Sequence, residues 1–357
     1  MKCLYMVKIL LLKPIVTYNT PRCAVFQLYQ HVKITGGFCM HDENVSTFLS
    51  FLEAEDAALS FLQKSYQYLG IPDAEARSYQ NISAFLAYLE HGKSYYSHGK
   101  NAPLLMKPVL LFYGMTHFMK ASLLLTRPAY PESTADLSHG LSTRKRKKRD
   151  YQFSLDEVLL QQRGLFPYFS RHVCKREFHS IKKVSMGDMF GLIPELYDLL
   201  TLQEGKRNLT EARLEKDALI LPDCLLDEFQ YTKRRFLEFL KSFSFKVTGQ
   251  EQLTMQQPDS LWQAAGPLYS NPVKGQYYFV RQSCWSSFHE CMAHYALLYN
   301  LSMICRYEAE WWTDLLHVNR HNEYPLIVRF LEITAEKFPL LIGSYMLKHF
   351  QDIKKAR

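Results

Sequence analysis

From residue 46 onward, apolar positions recur at steps of three and four, the spacing that lays one stripe along a helix. Ser46 is placed to cap a helix running through Leu69, with Phe48, Leu49, Leu52, Leu59, Phe61 and Leu62 on its apolar face and Gly70 ending it. Pro72 suits the first turn of a second helix, which carries Tyr79, Ile82, Phe85, Leu86 and Leu89 and is predicted to stop near Gly92. The two should form a helical hairpin. A third helix is predicted over 104–125. Its length would span a bilayer, but Lys107, Pro108, Gly114, His117 and Lys120 interrupt it, so the expectation is a buried core helix and no membrane contact.

The pattern then changes. FSLDEVLLQQRGLFPYF at 153–169 alternates in places and turns at Arg163-Gly164, which predicts a small hairpin. Helices are expected again over 186–202 and 225–243, a strand-like piece at 276–281, and terminal helices at 286–306, 309–318, 324–337 and 339–350. The predicted fold class is therefore mainly α, a helical domain with a small β-containing middle insert. It occupies 40–357 as a single α-rich domain, with a subdivision open near 205 where TLQEGKRNLT is polar.

Composition narrows the class. Apolar residues at 47% and aromatics at 14% exclude a disordered chain. The formal charge of +8 is local: residues 1–39 hold five cations and no acid, and six more stand together at 144–149. The rest is slightly acidic, which argues against the broad basic face that duplex DNA needs. Thr35-Gly36-Gly37 can be encoded as ACA GGA GGT, a ribosome-binding sequence ahead of Met40, so residues 1–39 are expected to be a non-native extension. Cys174, Cys224, Cys284, Cys291 and Cys305 follow no disulfide-framework spacing, which points to a reducing, cytoplasmic setting.

The strongest chemical signal is the run Arg144, Lys145, Arg146, Lys147, Lys148, Arg149, preceded by His139, Ser142 and Thr143. Packing rarely requires adjacent like charges, and hydroxyls beside guanidinium groups suit phosphate oxygens. A second polar element, HGKSYYSHGK, supplies His91, Lys93 and Tyr95, read as a turn ahead of a helix opening near Ala102. The intervening helix of about 22 residues would be roughly 33 Å long. The two elements then begin at opposite ends of it and share one site only if the loop after it folds back. His117 and Lys120, with Tyr113 one turn earlier, are either an interior binding face or an ordinary buried histidine stripe. Cys284, His289, Cys291 and His294 lack the paired spacing of a zinc site, so no metal is assigned. No nucleophile elbow, Walker loop or dinucleotide turn occurs, so no catalytic residue and no cofactor is assigned, and an enzyme is the less favoured reading.

HGKSYY, KPVLLFYGMTHFMKASLL, PESTADLSHGLSTRKRKK, GLF at 164–166, IPEL at 193–196, LSMICRYEAEWW at 301–312, PLIVRFLE and FPLLI together resemble the YaaC-like proteins of Gram-positive bacteria, over about residue 45 to the end. The resemblance brings no assigned activity. It implies a gene neighbourhood with IMP dehydrogenase, and through it purine nucleotide metabolism. The leading expectation is a regulatory binding protein for a purine nucleotide or another phosphate-bearing ligand, or for an acidic protein partner, IMP dehydrogenase among them. The alternative is an RNA-binding or RNA-processing protein with a degenerate HEPN-like core. The Arg and His pairs at 281 and 289, 171 and 179, and 163 and 172 are spaced too widely for the HEPN catalytic motif.

Overall fold

The computed structural model describes residues 39–356 apart from 144–150, 179–180, 206, 217, 244, 250–252 and 319–320. The cationic run Arg144 to Arg149 and the proposed extension before Met40, apart from Cys39, thus lie outside the described residues.

Helix α1 (Cys39–Phe51) and α2 (Glu55–Tyr68) replace the single helix expected from Ser46 to Leu69. Leu52 is fully buried at the break, and the Leu49 carbonyl, orphaned at the end of α1, accepts from Lys93 Nζ at 2.8 Å. Helix α3 (Ala74–Asn101) continues nine residues past the predicted stop at Gly92. Here glycine serves packing and does not end the helix. A Cβ at Gly92 would sit 2.9 Å from Phe118, and one at Gly99 would sit 2.9 Å from Leu111. Both neighbours lie on α4 (Lys107–Thr126), so the two backbones close together along their length. HGKSYYSHGK is therefore helix and not the expected turn, because burial of Leu89, Tyr96 and the two glycines outweighs their low helix propensity.

α4 is long and apolar enough to cross a membrane, and it is the central helix of the core. Leu111, Phe112, Met115, Phe118, Met119 and Leu123 are all buried against α2, α3, α10 (Glu290–Tyr307) and α12 (Glu323–Lys355). Helix α12 joins what the sequence split at Pro339. Phe338, Leu341 and Ile342 on either side of the proline are fully buried, which offsets the roughly 3 kcal/mol an internal proline costs.

The β content exceeds the small hairpin and the strand-like piece that were predicted, and the hairpin turning at Arg163-Gly164 is not formed, because a helix follows that turn and the strand before it pairs with segments further away. Strands β1 (Leu141–Thr143), β2 (Glu157–Leu160) and β3 (Lys183–Ser185) form one antiparallel sheet in that order, and α5 (Leu165–Phe169) and α6 (Met186–Phe190) connect it to the core. A second antiparallel sheet takes β4 (Leu209–Glu215), β5 (Ala218–Ile220), β6 (Val247–Gly249), β7 (Thr254–Gln256), β8 (Leu268–Asn271) and β9 (Gln276–Val280) in the order β6-β7-β5-β4-β9-β8. Between them stand the short helices α7 (Tyr197–Leu202), α8 (Cys224–Phe229) and α9 (Lys233–Ser242). The helix expected over 225–243 breaks at Gln230, whose φ is 53°. α11 (Ala309–His317) lies between α10 and α12 in the chain. Mainly α describes the whole, and residues 38–357 cluster as one compact unit.

Where α10 and α12 meet, the core closes over a charge cluster. Lys337 Nζ lies 2.5 Å from Glu290 Oε1, 2.8 Å from Glu195 Oε1 and 2.7 Å from the Ser270 carbonyl, and Lys337, Glu195 and Glu290 side chains are at most 6% exposed. His294 completes it, sharing a 2.9 Å hydrogen bond with Thr334 Oγ1. Burial pushes the Glu290 carboxyl up to about 7 against the pull of Lys337, and pushes His294 down to about 3.

Candidate cationic and aromatic site

α4 is buried on every turn except along one line. Tyr113, His117 and Lys120, at steps of four and three, are half-buried where their neighbours are covered. Facing them from α3 are Tyr88, His91 and Tyr95, again at steps of three and four. The Tyr95 ring stacks on His117 at 5.7 Å and 14°, and His91 lies 5.0 Å and Tyr88 5.9 Å from the same imidazole. Tyr95 also meets Tyr113 at 6.0 Å, and Lys120 Nζ stands 5.7 Å over the Tyr88 ring.

The loop after α4 does fold back. It passes through a turn capped reciprocally by Ser133 and Asp136 and returns to bring His139 beside Phe112, at 5.2 Å. Phe112 lies fourteen residues before the end of α4, roughly 20 Å along its axis. His139 also meets Tyr299 of α10 at 5.5 Å, and its carbonyl accepts from the Tyr295 hydroxyl at 3.0 Å. Arg306, two turns beyond Tyr299, donates from Nη1 to the Tyr113 hydroxyl at 3.5 Å and from Nε to the Ser302 carbonyl at 3.1 Å. α3, α4, the 139 loop and α10 thereby gather three histidines, a lysine, an arginine and five tyrosines.

Two glycines weld the returning loop in place. Gly140 has φ +74° and Gly164 φ +115°, and a Cβ on Gly164 would fall 2.4 Å from the Gly140 nitrogen. Leu165 N donates to the Ser138 carbonyl at 2.8 Å, Phe166 N to that of His139 at 3.2 Å, and Gln161 N to that of Gly140 at 3.0 Å. The HGL and GLF motifs are thus two sides of one backbone crossing. Gly164→Ala is expected to destabilise the fold by at least about 1–3 kcal/mol, the usual cost of forcing a side chain into such a conformation. Urea denaturation measures it, and a neutral result would mean that the crossing is loose.

The electrostatics are one-sided. Burial, then Lys120, then His91 push His117 down to about 4, so its ring is neutral at pH 7. Its Nδ1 is buried and, among the described residues, makes no hydrogen bond. His139 is lowered by burial and then by Arg306 and Lys120, and burial lowers the Lys120 ammonium. Among the described residues no carboxylate forms an ion pair with Lys120 or Arg306. A half-buried set of cations without acids presents an excess positive potential to whatever occupies it.

The sequence-predicted residues divide. His91, Tyr95 and His139 come together. Lys93 turns to the opposite side of α3, where Glu53 takes its ammonium at 2.6 Å; its expected place beside an anion is taken by a helix-capping role. Ser142 accepts from Gln161 Nε2 at 2.7 Å on the small sheet, and Thr143 pairs with Val158 in the β1–β2 ladder. The run Arg144 to Arg149 begins directly after that strand. The chain is described again from Tyr151, whose hydroxyl donates to Asp156, itself held by Asn300 of α10 at 3.0 Å. Sequence reasoning missed Tyr88, Tyr299 and Arg306. The signal for Tyr88 was its helical step to His91 and Tyr95, hidden once α3 was ended at Gly92; Arg306 and Tyr299 share a face at a seven-residue step.

Comparison with curated proteins and with solved structures returns no match. The sequence model of the family described as YaaC-like Protein matches residues 50–346, a span that contains the cluster, both glycine motifs and the basic run, and the chain belongs to that family.

Proposed function

We propose that this protein is a cytoplasmic regulatory binding protein that captures a phosphate-bearing ligand, with a purine nucleotide favoured, at the cluster formed by His91, Tyr95, Tyr113, His117, Lys120, His139 and Arg306. The supporting observation is that Lys120, over Tyr88, and Arg306, against Tyr113, stand along one row of aromatic rings with no carboxylate paired to either among the described residues. Phosphate oxygens would meet Arg306, Lys120 and the run from Arg144 to Arg149, while Tyr95 and its neighbours offer a stacking face for a base. His117 Nδ1 is left for a polar group of the ligand. The free thiols of all five cysteines from Cys174 onward accord with a reducing compartment. IMP dehydrogenase is the protein partner that the family's gene neighbourhood suggests, and no catalysis is proposed.

The test is a thermal-shift and calorimetric titration of purine mononucleotides against the wild type, a Lys120→Gln/Arg306→Gln variant and one with 144–149 neutralised. Saturable one-site binding is expected, weakened at least tenfold, or about 1.4 kcal/mol, by either variant, with the unliganded melting temperature little changed. Unchanged affinity in both variants would refute the reading.

The mainly helical core with six adjacent cations also favours a second reading, RNA binding on a degenerate HEPN-like scaffold. It predicts affinity for short RNA that falls steeply with salt and no saturable response to mononucleotides.

A further inference from the structure

A cavity of about 310 Å³ opens between the chain around Cys174–Arg176, the strand-flanking segment 242–246 and the segment 256–266. Its volume lies at the lower end of ligand-binding clefts. Two of the residues that line it, Arg176 and His289, carry buried nitrogen donors. His289, 3% exposed, caps α10: its Nδ1 accepts from Cys291 N at 3.2 Å, which leaves the ring proton on Nε2. That Nε2 is buried and makes no hydrogen bond of ordinary geometry among the described residues, although the Trp262 backbone raises the ring's affinity for its proton as a poorly placed acceptor would. Arg176 has the same defect. Its Nη2 reaches the Gly266 carbonyl at 3.4 Å and its guanidinium lies 4.6 Å over the Phe243 ring, while Nε is buried without an acceptor.

Leaving a buried donor unmade costs about 1–3 kcal/mol, and two carried by residues that line one cavity call for an acceptor there. The Trp262 indole, 4.1 Å from the His289 ring, forms an apolar wall. Lys175 and Lys246 stand exposed at the rim, where Asp259 is the one acid among the lining residues described. Gly266, with φ +128°, closes the floor so tightly that a Cβ would fall 2.2 Å from the Phe288 carbonyl oxygen.

We propose that this cavity is a binding site for the oxyanion group of a small molecule, a carboxylate or a phosphate, which accepts from Arg176 Nε and His289 Nε2 and lies against Trp262. The acceptor satisfies both orphaned donors at once, and the guanidinium supplies the counter-charge. None of these groups belongs to the cluster around His117, so the site is separate from the proposed nucleotide site and stands or falls on its own.

Inorganic phosphate and benzoate, each raised to tens of millimolar, serve as probes on the full chain carrying isotope-labelled histidine. At least one of them is expected to shift the His289 ring resonances and to raise the melting temperature. Arg176→Gln should weaken both responses at least tenfold, whereas Lys120→Gln/Arg306→Gln should leave them intact. A response to phosphate alone, or to benzoate alone, assigns the ligand class. No shift of His289 with either probe in the wild type overturns the proposal, as does an undiminished response in Arg176→Gln. Because the wild-type resonance is read directly, an Arg176 variant that fails to fold does not decide the question.

Discussion

Lys337→Met should cost the fold about 3–5 kcal/mol, the usual penalty for stripping one partner from a buried ion pair. Methionine keeps nearly the same volume, so the loss is electrostatic and not a cavity effect. Glu195 and Glu290 would remain at 6% and 0% exposure with no cation between them. Although its own burial works against it, the two carboxylates hold the Lys337 ammonium charged above its ordinary range, so the wild-type cluster carries its positive charge at neutral pH. Since Glu290 ionises near 7, the deficit of the variant should deepen as pH rises above that value. Adding Glu195→Gln and Glu290→Gln should recover much of it, because amides of similar shape do not repel. Chemical denaturation of the three variants measures both effects; a neutral single substitution would show that water reaches the cluster.

Stability should also fall steeply on acidification from pH 6.5 towards 4. His289 and His294 are held down to about 3, and His117 and His349 to about 4, in each case chiefly by burial. Their folded-state values lie below the unfolded value near 6.5, so the neutral rings stabilise fully above 6.5. The unfolded chain binds the extra protons as the pH drops. Glu290 and Glu195 work in the opposite sense, since burial raises them and the folded state takes up their protons first. The net excess is about one to two protons, or about 1.4–2.7 kcal/mol per pH unit through the steepest region. Urea titrations at pH 7.5 and 4.5 measure it. A flat profile would mean that the buried imidazoles carry protons after all.

What the sequence made legible was the periodic part. The helix over 107–126, the strand at 276–280 and the terminal helices were predictable because their apolar steps are regular and long. Failures came where tertiary contact overrode a local stop signal. Gly92 and Gly99 look like helix ends and are contact points with Phe118 and Leu111; Pro339 looks like a break and is carried by its buried neighbours. Strands β5 to β7 escaped because each has only three residues, and β4 because its seven are mostly exposed, with Arg213 and Glu215 among them. The candidate site was half legible: the Tyr113, His117 and Lys120 stripe was visible, HGKSYYSHGK was expected to be a turn, and the return of the loop after α4 towards it was stated as a condition. Arg306 was not, since nothing local ties a residue near the end of α10 to Tyr113, 193 positions earlier.

The charge trio has one more consequence, for synthesis. Glu195 and Glu290 leave the ribosome well ahead of Lys337, and hydrogen bonding joins positions 142 apart in the chain. A nascent polypeptide lacking α12 therefore has two acids bound for an apolar interior and nothing to neutralise them. Commitment to the native interior must wait until α12 has been made, and fragments truncated before Lys337 should stay open to proteases.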